Sequence, residues 1–230
     1  MKLPKCIHMV WLGKKKFPNE SRTFLKTWSN KNYDFETNLW QDNDADKLMS
    51  NSILKDHYFL TQDVGFKSDL LRYEILNTHG GVYVDTDMEC LRPIECLVSH
   101  SAFTYADQNK AEPAIGFLAS EPKSQFIKYL IPILDAHIRN GIHKNDVFNR
   151  TLEMSGPNFL GNLIRMWFSG NPLSPIYNKY GCHIGNKLKD TSALFEWTVY
   201  PYNPCTSQKH YNPKLHARAY AIHHWNASWA

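Results

Sequence analysis

The stretch FKSDLLRYEILNTHGGVYVDTD, Phe66 to Asp87, decides the fold. Phe66, Leu70, Tyr73 and Leu76, with Leu71 and Ile75 beside them, recur at helical spacing, which predicts a helix from Phe66 to Asn77. Gly80-Gly81 ends it, because glycine enters the left-handed backbone of a helix stop without a Cβ clash. Val82-Tyr83-Val84 then starts an apolar strand that runs straight into Asp85-Thr86-Asp87. Carboxylates at the carboxyl end of a central strand stand where open α/β sheets bind ligands.

The flanks repeat this alternation. Lys5 to Leu12 reads as a buried first strand ending at Gly13, and Asn19 or Ser21 caps a helix running to Trp28. Glu36 to Trp40 is a second strand, followed by the acidic helix start Asp42-Asn43-Asp44. Beyond Pro93 the pattern predicts strands at Ser101 to Tyr105 and Ala114 to Ala119, a helix from Ser124 to Ile138, and a last strand at Ala219 to His223. Gly170 to Pro213 is rich in Pro, Asn, Gly and Tyr and is expected to form long loops with short strands near His183 and Thr198 to Tyr200. With no repeat, low-complexity tract or linker, the 230 residues read as a single α/β domain around a mixed central sheet. Residues 1–110, with the acidic strand end, and residues 111–230 are expected to form its two halves.

Bulk properties narrow the class. A composition of 43% hydrophobic and 21% charged residues fits a packed domain and excludes a disordered or collagenous chain. The net charge of +4 is mild and, apart from Lys14-Lys15-Lys16, scattered, so nucleic acid is not an expected partner. The lysine run reads first as a solvated loop, and otherwise as an attraction for a diphosphate or an anionic membrane surface. Five cysteines without CxxC pairs argue against a zinc site or a disulfide scaffold and favour a reducing compartment. No stretch reads as a signal peptide or a transmembrane span, so the expectation is a cytoplasmic protein, soluble or peripherally membrane-associated. The sequons at Asn19, Asn149 and Asn226 are then chance matches.

Asp85 and Asp87 lie two residues apart, so on a regular strand both side chains share one face. Two hard oxygen donors suit Mg²⁺ or Mn²⁺, with phosphate and water completing the shell. A bare DxD also occurs as a solvated acidic pair. Asp69 and Arg72, three apart on the preceding helix, form either a surface ion pair or, facing the carboxylates, a polar fork for sugar and phosphate oxygens. Spacing alone leaves both orientations open.

The string from Ser68-Asp69-Leu70-Leu71-Arg72-Tyr73 through Gly80-Gly81-Val82-Tyr83-Val84-Asp85-Thr86-Asp87 resembles the DXD sugar-binding region of the family 32 glycosyltransferases. These include α-mannosyltransferases and capsule or glycolipid sugar transferases, and their core is similar to that of the large clostridial glucosylating toxins. Leu3-Pro4-Lys5-Cys6-Ile7-His8-Met9-Val10-Trp11-Leu12-Gly13 resembles the family's first strand, and Ser155-Gly156-Pro157 its later T/S-G-P turn. His223-His224-Trp225-Asn226-Ala227-Ser228-Trp229 resembles its closing segment, with Ala227 where glycine is usual.

The resemblance implies a GT-A fold and a metal-dependent, retaining transfer of a hexose from a nucleotide diphosphate sugar to a glycan or glycolipid hydroxyl. UDP-hexose is the first expected donor and GDP-mannose the second. Asp87 is implied as the direct ligand of Mn²⁺ or Mg²⁺, and Asp85 as a contact to donor ribose or sugar that reaches the metal through water. Asp69 and Arg72 are implied to hold the donor sugar and its phosphate-proximal oxygens, Tyr83 to lie near the nucleotide, and Trp11 to stack on the base, where packing in the core is the alternative. His224 is the expected further metal ligand or diphosphate contact, with His223 the alternative, and Ser228 and Trp229 are implied as a lid. Two rivals remain: a decayed carbohydrate-binding domain, and a DxD phosphatase, for which Glu89 stands where that motif wants threonine.

Overall fold

The computed structural model describes residues 3–97, 102–106, 113–141, 147–169, 220–224 and 226. The opening alternation forms strand β1 (Cys6–Val10), helix α1 (Asn19–Lys31), strand β2 (Glu36–Trp40) and helix α2 (Asp42–Met49). A short helix α3 (Lys55–Leu60) leads into α4 (Val64–Thr78), whose N-terminus is capped by Asp63 accepting from the Phe66 N–H. Gly80 and Gly81 then turn the chain with φ of +66° and +89° into β3 (Gly81–Val84). A Cβ on Gly80 would come within 2.5 Å of the Pro122 ring, and one on Gly81 within 2.6 Å of the Cys6 carbonyl oxygen, so both positions exclude larger residues.

After β3 come β4 (Met88–Cys90), a 3₁₀ turn at Glu95–Leu97, β5 (Ala102–Ala106) and β6 (Pro113–Ser120). Helices α5 (Gln125–Arg139), α6 (Val147–Met154) and α7 (Pro157–Ser169) follow, and β7 (Ala221–His223) closes the described chain. The main sheet has the order β2-β1-β3-β6-β5. β2, β1 and β3 run parallel, whereas β6 pairs antiparallel with both β3 and β5, so the sheet is mixed. β4 leaves it to pair antiparallel with β7, which sets Met88 opposite His223.

Alternation along the strands feeds two apolar layers. Val82, Val84, Ile7, Met9 and Phe117 pack with Trp28 of α1 on one face, while Tyr83 and Val10 meet α4, α5 and α7 on the other. Helix α4 is buried nearly all round, which is why its apolar residues lie on more than one stripe. His8 bridges three elements as a neutral ring: Nδ1 accepts from the Trp40 indole N–H at 3.1 Å, leaving Nε2–H to donate to the Gly80 carbonyl at 3.0 Å. Burial pushes its pKa down to about 4, consistent with that uncharged form. Among the described residues no helix is long and apolar enough to cross a membrane.

The expected strands and helices are present with shifted ends, β1 being shorter than Lys5 to Leu12 and α1 continuing past Trp28. α3, α6, α7 and β4 are additions the sequence pattern did not separate. The loops expected between Gly170 and Pro213, with strands near His183 and Thr198, lie outside the described residues.

Candidate active site

Strand β3 ends at Val84, but the Asp85 N–H still donates to the Gly116 carbonyl of β6 at 2.8 Å, so Asp85 keeps the strand direction. It shares a face with Tyr83, whose hydroxyl donates to Asp85 Oδ1 at 2.8 Å. The chain then turns, with the Met88 N–H donating to the Asp85 carbonyl at 3.1 Å, and this carries Asp87 to the start of β4. There β7 brings His223 alongside. Its Nε2 lies 3.0 Å from Asp87 Oδ1 and 3.8 Å from Asp85 Oδ2. One ligand atom from each of Asp85, Asp87 and His223 falls within 4.8 Å of the others, a donor set of two carboxylates and one imidazole.

Burial acts on all of these groups. It raises the Asp87 carboxyl, but the His223 ring and the Asn226 N–H, 2.8 Å from Oδ2, together outweigh it and hold Asp87 below the usual carboxylate value. The same burial lowers His223, and the Asp87 and then Asp85 carboxylates reverse that, leaving the ring above its usual value. The His223 ring thus lies between two carboxylates, where a cation would be held.

Behind this set stands Arg72, 5% exposed. Nη1 donates to Asp85 Oδ1 at 3.1 Å and to the Ile115 carbonyl at 2.9 Å, while Nη2 pairs with Asp69 Oδ1 at 2.9 Å. The guanidinium also lies over the Tyr83 ring, 4.5 Å from its centroid. The i, i+3 pair therefore faces the carboxylates, not solvent, and the orientation left open by spacing is resolved. Asp69 is 4% exposed and its other oxygen accepts from the Ser155 hydroxyl at 2.7 Å. Burial pushes its pKa up to about 6, against the pull of Arg72 and Ser155.

His224 turns away from the pair. Its Nε2 lies 3.1 Å from Glu89 Oε2 and its ring stacks on Phe24 of α1, centroids 4.3 Å apart. Successive strand residues point to opposite faces, so only one of the adjacent histidines can reach the carboxylates, and it is His223 that does. His224 contributes its backbone, its N–H donating to the Asp87 carbonyl at 2.9 Å. Trp11 is folded into its own loop: its indole N–H donates to the Lys15 carbonyl at 2.8 Å and its ring meets Phe17 edge-on, 5.4 Å away. Ser228 and Trp229 lie outside the described residues.

Gly116 carries no motif, and no single-sequence signal would have found it. A Cβ there would approach Asp85 Oδ2 to 2.6 Å and His223 Cε1 to 3.0 Å. The Asp85 carboxylate is held by Arg72 and Tyr83 and the His223 ring is buried, so Gly116→Ala is expected to displace both and to lower the melting temperature modestly. It should weaken Mn²⁺ binding by about 10- to 100-fold, the range for disturbed support of a ligand set. Calorimetric titration with Mn²⁺ beside a thermal melt measures both, and unaltered affinity would refute the reading of a tight floor beneath the donors.

Residues 18–104 match the model of the family described as "Glycosyltransferase sugar-binding region containing DXD motif". Over this stretch the chain is similar to the DXD glycosyltransferases. Over 207 residues the chain is 26% identical to an uncharacterized glycosyltransferase of Acanthamoeba polyphaga mimivirus, covering 85% of this chain and 79% of that protein. An initiation-specific α-1,6-mannosyltransferase of Candida albicans is 28% identical over half of this chain, but the match spans only 32% of the yeast enzyme. Among solved structures, the PaToxG glycosyltransferase superposes with a TM-score of 0.54 at 18% identity, covering 77% of this chain and 74% of that one. The chain therefore has the GT-A fold of these glycosyltransferase domains, with the DXD motif at the end of a central strand.

Proposed function

We propose that this chain is a DXD glycosyltransferase that transfers a hexose, with a divalent cation, from a nucleotide diphosphate sugar to a glycan or glycolipid hydroxyl. The observation that carries the proposal is the meeting of Asp85, Asp87 and His223 in one donor set, backed by Arg72. Two carboxylates with an imidazole fit Mn²⁺ well, since nitrogen donors favour it over Mg²⁺. Those three residues would hold the ion, and a bound cation there supplies neutralisation of the charge that develops on a leaving diphosphate.

The protein's own groups do the rest. Arg72 is fixed by four acceptors, so its fork meets the donor without reorganising, which is the condition for electrostatic stabilisation of a developing charge. Asp69 sets the pose of Arg72 and retains lone pairs for sugar hydroxyls. Tyr83 donates to the same Asp85 oxygen as Arg72, and Trp11, tied to the Lys15 carbonyl in its own loop, is the residue proposed to meet the base. The family resemblance supports retention by front-face attack, for which no protein nucleophile is needed. Most donor contacts fall within residues 1–110, and His223 returns from the later residues to complete the cation set. The name of the Candida relative supports mannose as the sugar, which moves GDP-mannose ahead of UDP-hexose as donor.

Nucleotide release from a panel of GDP- and UDP-sugars, with Mn²⁺, Mg²⁺ or EDTA, tests this. Release from one donor is expected with Mn²⁺, less with Mg²⁺ and none with EDTA. Absence of both turnover and donor binding under every condition returns the decayed-domain alternative, and turnover in EDTA removes the metal from the proposal.

A further inference from the structure

The joint between α6 and α7 reaches the active site through one hydroxyl. Ser155 is fully buried, and its Oγ donates to Asp69 Oδ2 at 2.7 Å, a much closer contact than its 3.4 Å approach to the Thr151 carbonyl. The Tyr73 hydroxyl donates to the Ser155 carbonyl at 2.8 Å, so α4 grips the joint at main chain as well as side chain. Thr151 adds a third tie, its hydroxyl donating to Asp63 Oδ2 at 2.8 Å while Asp63 Oδ1 caps α4. The turn itself has no slack: a Cβ on Gly156 would fall 2.8 Å from Leu152 Cα. The Ser155 oxygen is thus held from several sides in a place set by packing.

We infer that Ser155 is a positioning residue for the donor sugar: it fixes the Asp69 carboxylate, which fixes Arg72, which in turn fixes Asp85. The chain is continuous in the structure, from Ser155 Oγ to Asp69 Oδ2, from Asp69 Oδ1 to Arg72 Nη2, and from Arg72 Nη1 to Asp85 Oδ1. Without the hydroxyl, Asp69 is held through Oδ1 alone, by Arg72 Nη2, and the carboxylate gains freedom to tilt about that contact. Arg72 would retain Asp85, Ile115 and Ser68, with only the Asp69 contact on its outer nitrogen loosened. The reach to the donor rests on the transfer reaction proposed above; the tie between Ser155 and Asp69 does not.

Two measurements separate these parts. Carboxyl-carbon NMR reads the ionisation of Asp69, which faces Arg72 and Tyr73 of α4, Asp63 at its cap, Tyr83 and Asp85 of the central strand, and Ser155 of the joint. Ser155→Ala removes a bond to the charged carboxylate and is expected to move the Asp69 titration up by about one pH unit, with Ser155→Thr returning it toward wild type. In steady state, the same alanine variant should raise the donor KM by about 3- to 10-fold and alter kcat less than twofold, because the Asp69 restraint on bound sugar acts on ground and transition states alike while Arg72 keeps its Ser68, Asp85 and Ile115 acceptors. An unmoved Asp69 titration in a natively melting Ser155→Ala protein overturns the inference. A moved titration with unchanged donor KM also overturns it, leaving Ser155 a packing residue. If wild type turns over no donor while the titration moves, the transfer reading fails and the Ser155–Asp69 tie stands.

Discussion

Asp87→Asn and His223→Ala are each expected to abolish measurable Mn²⁺ binding at the site and to lower transfer by about 10³-fold, the rate equivalent of several kcal/mol of lost charge stabilisation. His224→Ala should keep Mn²⁺ affinity within about threefold, since its ring meets Glu89 and Phe24 outside the donor set. The asparagine retains an oxygen that can still accept from the Asn226 N–H, so this change isolates the charge of Asp87 from its role in holding the C-terminal segment. Alanine at 223 removes the only imidazole within 4.8 Å of both carboxylates among the described residues. Alanine at 224 instead releases Glu89 and uncovers Phe24, while the backbone N–H at 224 continues to hold the Asp87 carbonyl. Titration of each variant with Mn²⁺, followed by donor turnover, tells them apart. Loss of affinity in His224→Ala with retention in His223→Ala would transfer the ligand role to the stacked ring and rule out the donor set described above.

That pair of histidines shows where reading the sequence stopped. The alternation of a strand dictates that 223 and 224 oppose each other, but which faces the carboxylates depends on the register of β7 against β4, set by pairing across more than a hundred residues. The Asp69–Arg72 pair stopped at the same limit, because spacing puts both on one helical face and only packing chooses what that face meets. By contrast, Gly80-Gly81 and the apolar run into Asp85 were local signals, and the structure follows them: both glycines have positive φ, and the strand leads into the acidic pair. Gly116 and the tie from Ser155 to Asp69 had no local signature. Each is defined by what another part of the chain brings against it: the Asp85 carboxylate 2.6 Å from where a Cβ of residue 116 would stand, and the Asp69 carboxylate 2.7 Å from the Ser155 hydroxyl.

Arg72→Met is expected to be the most destabilising single change in the site, by about 3–5 kcal/mol, the cost of removing one partner from a buried charge pair. For a chain of this size that corresponds to a fall of roughly 10 °C in melting temperature. Methionine fills much of the arginine's volume, so a cavity is not the cause. What is lost is a single planar donor group serving Asp69, Asp85, the Ile115 carbonyl and the Ser68 carbonyl at once. Lysine restores the charge but not the fork, and Arg72→Lys should recover less than half of the loss. The pH dependence gives the signature. Asp69 already stands at about 6 by burial, and without the guanidinium it rises further, while in the unfolded chain it returns to about 4. The folded variant therefore binds the extra proton between those values, so its stability is fully present below about pH 4 and is lost as pH rises through the folded value. Relative to wild type, the deficit of Arg72→Met should shrink between pH 7 and pH 5. Urea unfolding across that range measures it. A deficit that stays constant would mean that Asp69 is not the group left uncompensated, and that the cost lies in the Ile115 and Ser68 carbonyls, which do not titrate.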